Sequence, residues 1–380
     1  MNLRKTLTKT NFIFLVAYGI YILSMTLEYT ALQYTFDREL QITRYLAYGL
    51  FLFKILWEAV YYKKSTLLFA IMLLFFVFQS QINGKRDFCF LILILFATYG
   101  VQMKDALYVQ IGVQMTCLCG VLLLCAMNIL DNQEYFDHGQ VRYTLGFSYV
   151  HGAGEILFSS ELAWLFIRQK KLTLWEVLAI LSGWGVIFYY TDFKTMGMLG
   201  VAAVILCYLT KFLKYSVKKF PIKELYLSVP ILMAVFTWGL QLYYNRYATS
   251  NLMQALNTGF NGRLNLAYTA MQNYGVHLLG KKIAWVGNTE NLVRHSYNYV
   301  DCAYIKLAMD FGIVIEVLVL IGYCYILYQL IEKDNRIGCI LTCIVLICGF
   351  MLPVIYGLHY NPLLLLAGGI FHGKAKVDQT

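Results

Sequence analysis

Charge is scarce in this chain. Only 14% of its 380 residues are Asp, Glu, Lys or Arg, while 59% are apolar; a soluble domain is about 25% charged. The shortage excludes an ordinary soluble fold and leaves a membrane protein. Acidic residues are scarcest, 21 against 31 Lys and Arg, for a net charge of +10. A nucleic-acid binder would gather that excess into one basic face. Here it stands in short clusters between apolar runs, the pattern of topology signals, so no nucleic-acid partner is expected. The ten cysteines include no C-x-x-C pair, and most sit inside apolar runs, which argues against a disulfide framework or a zinc site. No internal repeat is visible, which weakens a secondary-transporter reading. The opening residues lack the features of a cleaved signal, so 12–31 reads as a retained first helix.

What the chain has in quantity is long apolar runs. A span needs roughly 20 such residues. Helices are expected near 12–31, 45–61, 66–82, 87–103, 106–130, 148–167, 173–191, 196–212, 224–244, 303–330 and 337–356, with a shorter segment at 362–371. The expectation is an all-α polytopic protein of about eleven or twelve transmembrane helices. It divides into helices over 1–244, a large polar loop over 245–302, and C-terminal helices with a short tail over 303–380. Lysine and arginine concentrate at Arg168, Lys170 and Lys171 and from Lys211 to Lys223. The positive-inside rule places those connections, and both termini, in the cytoplasm and the 245–302 loop outside. Two charged pairs fall within spans at a spacing of four, Lys54 with Glu58 and Lys306 with Asp310. Each can meet on one helix face.

The outer segments carry the candidate chemistry. Arg142 leads into a helix with His151 close behind. The turn Thr191–Thr195 carries Lys194. The long loop carries Arg263, Lys281, Lys282, Arg294, His295, Tyr297 and Asp301, with Tyr304 just beyond. From Arg263, apolar residues at Leu264, Ala267, Ala270 and Tyr274 predict an amphipathic helix on the outer membrane face, with the arginine at its start. Asp301 reads either as the cap of the helix that follows or as part of a site. No Asp-x-Asp pair or metal-ligand cluster occurs on this side, so no metal and no cofactor are expected.

Taken in order, Arg142 with Leu145-Gly146-Phe147, Thr191 to Thr195, Gly262-Arg263-Leu264, Leu279-Gly280, Val300-Asp301-x-x-Tyr304 and Phe311-Gly312-Ile313 form a pattern. It resembles the O-antigen and capsular polysaccharide repeat-unit polymerase family, within the wider ligase/polymerase superfamily. The resemblance spans residues 140–330. This chain departs from the family pattern in having Tyr149-Val150-His151 where Pro-Asn is common. It also has Phe193-Lys194-Thr195 where Ser-Arg-Thr is common, and lysine keeps the charge of arginine but loses its forked hydrogen bonding. The resemblance implies a GT-C-like fold in the bacterial plasma membrane. The implied activity is a metal-independent glycosyltransferase that joins polyprenyl-diphosphate-linked oligosaccharides on the outer face, beside membrane lipid, a flippase and a chain-length regulator. Arg142, Lys194, Arg263 and Arg294 would hold the leaving diphosphate. His295 would be the general base, with Asp301 as its orienting partner or substitute. Lys281, Lys282, His151, Tyr297 and Tyr304 would bind substrate. The alternatives are a glycan ligase of the same superfamily, a lipid-linked-oligosaccharide flippase or transporter, and a membrane receptor or scaffold.

Overall fold

The computed structural model describes residues 3–59, 63–137, 140–213, 215–287 and 297–372. Five helices come first: α1 (Leu3–Glu28), α2 (Gln33–Ala59), α3 (Lys63–Asn83), α4 (Asp87–Ala97) and α5 (Met103–Ala126). An antiparallel hairpin of β1 (Glu134–Asp137) and β2 (Gln140–Tyr143) follows, with Tyr135 opposite Arg142. Four more long helices complete the first part: α6 (Gly152–Arg168), α7 (Leu174–Thr191), α8 (Lys194–Leu209) and α9 (Ile222–Tyr247). The polar loop holds α10 (Asn251–Gly259) and α11 (Arg263–Tyr274). The C-terminal part is α12 (Ala303–Asp310), α13 (Ile313–Glu332), α14 (Arg336–Cys348), a 3-10 segment Pro362–Gly368 and α15 (Gly369–His372).

The chain is thus mostly helical and polytopic. Among the described residues, six helices are long and apolar enough to cross a membrane, within α1, α3, α5, α7, α9 and α13. Large apolar side chains such as Leu67, Leu74, Phe78 and Val235 stand exposed on these helices, an arrangement suited to lipid rather than water. The hairpin is a departure from the all-α expectation. Tyr and Val favour strands, and two four-residue arms are too short to make a helix.

Several expected spans are interrupted. The helix expected over 87–103 ends at Ala97, and the one over 337–356 ends at Cys348. Gly349, the residue after it, accepts from the Ala303 amide at 2.8 Å. Beyond Gly349 the backbone is irregular as far as Asn361, and Pro353 cannot supply a helical N–H. Buried side chains satisfy this stretch. Gln110 of α5 donates to Leu358 O at 3.3 Å, Gln114 to His359 O at 2.8 Å, and Asn361 donates to Tyr323 Oη at 2.8 Å. Non-helical backbone at membrane depth survives only where protein buries it or it lines a cavity.

The span expected over 303–330 is two helices, broken at Phe311-Gly312. Gly312 has φ +101°, and a Cβ there would lie 2.2 Å from Leu278 O; a Cβ on Gly280 would lie 2.3 Å from Asp310 O. Two backbones therefore run in contact, and only glycine fits. Hydrogen bonds seal the contact: Ile313 N to His277 O at 3.1 Å, Val314 N to Leu278 O at 3.2 Å, and Lys281 N to Met309 O at 3.2 Å. Gln79 of α3 reaches in from the side and donates to Phe311 O at 3.0 Å. The Leu279-Gly280 and Phe311-Gly312-Ile313 elements, far apart in the sequence, are one structural joint.

Both expected charge pairs form. Lys54 lies 2.9 Å from both Glu58 carboxylate oxygens and from Tyr99 O. Lys306 lies 3.4 Å from Asp310, which Lys85 also meets at 2.6 Å.

Candidate functional site

The site is assembled from four connections at one end of the bundle, joined by the irregular 349–361 segment. The first is the turn after α1. Ala31 N donates to Gly146 O and Ser148 N to Tyr29 O, each at 3.0 Å, so Tyr29 is tied to the segment that leads into α6. The second is that segment itself, with His151 just before Gly152. His151 stacks on Phe193, centroids 4.0 Å apart, and meets Tyr149 edge-on at 4.8 Å. The third is the end of α7. A capping box of Thr173 and Glu176 starts this helix, and Asp192 at φ 47° ends it. Arg142 Nε, arriving from β2, donates to Thr191 O there at 2.7 Å. The fourth is the polar loop.

Within the loop, the helix expected from Arg263 is α11. Gly262, at φ 78°, is its N-cap, and Leu264, Ala267 and Ala270 are its buried residues. This buried face packs on α9 and α12. Gln241 of α9 donates to Leu264 O at 3.1 Å, fixing the first turn. Arg263 then donates through Nε to Asp301 Oδ2 at 3.0 Å. Among the described residues its terminal amino groups make no hydrogen bond. Asp301 is therefore a partner of Arg263 and caps no helix; the N-cap of α12 is Cys302, which makes no side-chain cap.

These connections converge. The positive charges of Arg142 and Arg263 both act on His151, and with burial as the larger cause they push its imidazole down to about 3. His151 is accordingly neutral. Asp301 interacts with Arg263, Lys306 and, across the site, with Glu155 in the first turn of α6. Burial raises the Asp301 carboxyl above its ordinary value, and the Arg263 guanidinium opposes that shift. Tyr297 and Tyr299 enter from the loop, their phenols raised by burial and then by the Asp301 charge. Tyr29 and Tyr360 share a side-chain hydrogen bond close to Glu155. His359 packs against both rings, 5.4 Å from Tyr29 and 3.8 Å from Tyr360. Both its ring nitrogens are buried without a hydrogen-bond partner among the described residues. The result is a polar, aromatic-walled site with two arginines, two carboxylates and two histidines.

A cation cage adjoins it. Lys306 Nζ lies 4.2 Å from the Trp285 ring centroid and 4.1 Å from that of Tyr299. Trp285 Nε1 donates to Asp310 Oδ1 at 2.7 Å. The cage joins the loop to α12.

Of the sequence-derived candidates, Arg142, His151, Arg263, Tyr297 and Asp301 come together. His295 and Arg294 lie outside the described residues. Tyr304 does not belong to the site: it is fully buried, and its hydroxyl donates to Leu346 O at 2.8 Å, making it a core residue. Lys194 is exposed and paired with Asp192 at 3.0 Å. Lys281 and Lys282 are exposed along the glycine joint, where the Lys282 stem covers Gly84. Sequence reasoning missed Tyr29, Tyr299, His359 and Tyr360, and left Glu155 unassigned. The available signal was Gln110 and Gln114, two amides four apart inside an apolar run, which mark backbone in need of donors.

Comparison of the chain with protein-family models, curated proteins and solved structures finds no match.

Proposed function

We propose that the chain is a membrane glycosyltransferase that polymerises polyprenyl-diphosphate-linked oligosaccharide repeat units on the outer face of the bacterial plasma membrane. The observation that supports this best is Arg263. Asp301 holds it through Nε, and among the described residues its terminal amino groups make no hydrogen bond, which leaves them able to donate to a ligand close to Arg142 and His151. Guanidinium donors suit a diphosphate. The motif resemblance drawn from the sequence points the same way, and the irregular backbone around His359 brings two buried ring nitrogens close to this cluster.

In the reaction, a sugar hydroxyl of the incoming lipid-linked unit attacks the anomeric carbon of the growing chain. The new C–O bond forms as the bond from that carbon to the phosphate oxygen breaks. The leaving diphosphate keeps the electron pair, and Arg263 and Arg142 neutralise it. A base takes the hydroxyl proton. His295 is our candidate, since Asp301 is engaged with Arg263 and serves to orient it. Tyr297, Tyr299 and the Tyr29–Tyr360 pair supply flat faces and hydroxyls suited to sugar rings.

The test is the lipid-linked glycan that accumulates when the gene is deleted. Single repeat units on the carrier are the expected result. Complete polymers on the carrier would make the protein a ligase instead, and unchanged glycans would remove both readings.

A further inference from the structure

A second built site lies at the opposite end of the bundle and does not depend on the proposed activity. A cleft of about 320 Å³ is lined by Lys170, Lys211, Tyr215, Ser216, Lys219 and Arg336, contributed by three separate connections. Its four cations face no lining carboxylate among the described residues. Topology requires basic residues at such connections, but it does not require them to be organised. Here they are.

Arg336 donates through Nη1 to Leu213 O at 2.8 Å and lies over the Tyr215 ring at 4.7 Å. Its side chain is 15% exposed, and its buried Nε has no acceptor among the described residues. Asp334 meets Arg336 Nη2 through Oδ2 at 4.0 Å, while its Oδ1 accepts from Ser216 Oγ and Val217 N, both at 2.9 Å, which ties down the loop beside the cleft. Lys211 donates to Leu172 O and lies over the Tyr208 ring at 4.9 Å. Lys170 and Lys219 are exposed at the rim, and their side chains make no contact with another described polar group.

We infer that this cleft binds a phosphate group. An arginine with an unused buried donor, a fixed lysine and two free lysines supply converging positive charge and hydrogen bonds to a dianionic or diester phosphate. Basic pockets among helix ends on the cytoplasmic side bind anionic headgroups, and the volume falls within the range of small-ligand sites, about 300–1,000 Å³. The phosphate comes either from an anionic lipid headgroup or from a soluble phosphate compound.

The test uses the purified full chain in detergent, with phosphatidylglycerol and phosphatidylcholine titrated separately and followed by native mass spectrometry. A parallel arm follows the thermal midpoint with added inorganic phosphate. The comparison variant is Lys170→Gln with Lys219→Gln, which removes no contact of the fold; Arg336→Gln is the second variant. Preferential retention of phosphatidylglycerol, weakened about 30-fold in the double variant as expected for the surface attraction of two lysines, assigns a lipid headgroup. A phosphate-induced rise of the midpoint that the double variant lacks assigns a soluble phosphate. Equal retention of both lipids with no response to phosphate would overturn the proposal, as would wild-type binding in both variants.

Discussion

Arg263 Nε and Asp301 Oδ2 meet at 3.0 Å, joining the first residue of α11 to the loop just before α12. Both side chains are largely buried, 16% and 21% exposed, so the pair fixes the guanidinium in one place. Removing either partner leaves a charge short of its counterpart, at a cost of about 1–3 kcal/mol. The two residues therefore differ in function more than in stability. If the chain has the proposed polymerase activity, Arg263→Ala is expected to lower polymer formation by about 10²–10³, the effect of losing one donor to a developing anion. Asp301→Asn keeps the shape and is expected to lower it only about tenfold, through one lost charge-assisted hydrogen bond. Gel analysis of carrier-linked glycan at matched membrane levels decides this. Full-length polymer from Arg263→Ala would remove the residue from the mechanism.

The glycine joint makes a paired prediction. Gly312→Ala places a Cβ 2.2 Å from Leu278 O at φ +101°, combining overlap with backbone strain, each worth about 1–3 kcal/mol. Gly322, in the same helical run, has nothing within 4 Å of its Cβ position. Gly322→Ala should leave the thermal midpoint of detergent-purified protein unchanged, while Gly312→Ala should lower it sharply or prevent folding.

His151 gives a pH dependence. Its folded value is about 3 against an ordinary 6.5. The unfolded chain therefore binds the proton more readily between those values, and this contribution to stability is complete above pH 6.5. It is lost progressively as pH falls from 6.5 towards 3. Asp301 is raised above its ordinary value, so its contribution has the opposite sign just above that value. The His151 share is read as a difference: thermal midpoints of wild type and His151→Gln measured from pH 7 to pH 4 should converge towards the acid end. Parallel curves would show that the imidazole is not held neutral.

The Lys306 cage tethers the loop to α12. Trp285→Ala removes one ring from the cation and the donor to Asp310, with cation–π contact worth about 0.5–2 kcal/mol. Limited proteolysis within 275–300 should accelerate in this variant. Trp285→Phe keeps a ring and should fall between the two.

The irregular 349–361 segment depends on amide donors from α5. Gln114→Leu leaves His359 O without its 2.8 Å donor and releases Ser160 Oγ, which donates to Gln114 Oε1 at 3.2 Å. A buried unsatisfied group costs about 1–3 kcal/mol. A lowered thermal midpoint is expected, together with weaker activity in the proposed function, because His359 and Tyr360 ride on the same backbone. Normal activity with a lowered midpoint would separate this segment from the site.

Hydropathy alone located nearly every helix, because a lipid-facing surface and an apolar core demand the same side chains. The spacing of four placed Lys54 on Glu58 and Lys306 on Asp310, since helix geometry converts that interval directly into a contact. The start of α11 at Arg263 was likewise readable from local periodicity. The breaks were not. Apolar runs over 303–330 and 337–356 look continuous, and burial against protein carries the same composition as burial in lipid. Gly312 acquires its conformation from Leu278, and the stretch after Cys348 is held by Gln110, Gln114 and Tyr323. Neither cause is local. The sequence determined that this chain is a helical membrane protein with a polar loop rich in cations. Only tertiary packing decided that Arg142, His151, Glu155, Arg263 and Asp301 share one site, and that Tyr304 belongs to the core. Electrostatic and hydrogen-bond partners remote in the chain are chosen by distance in space, which no local spacing encodes.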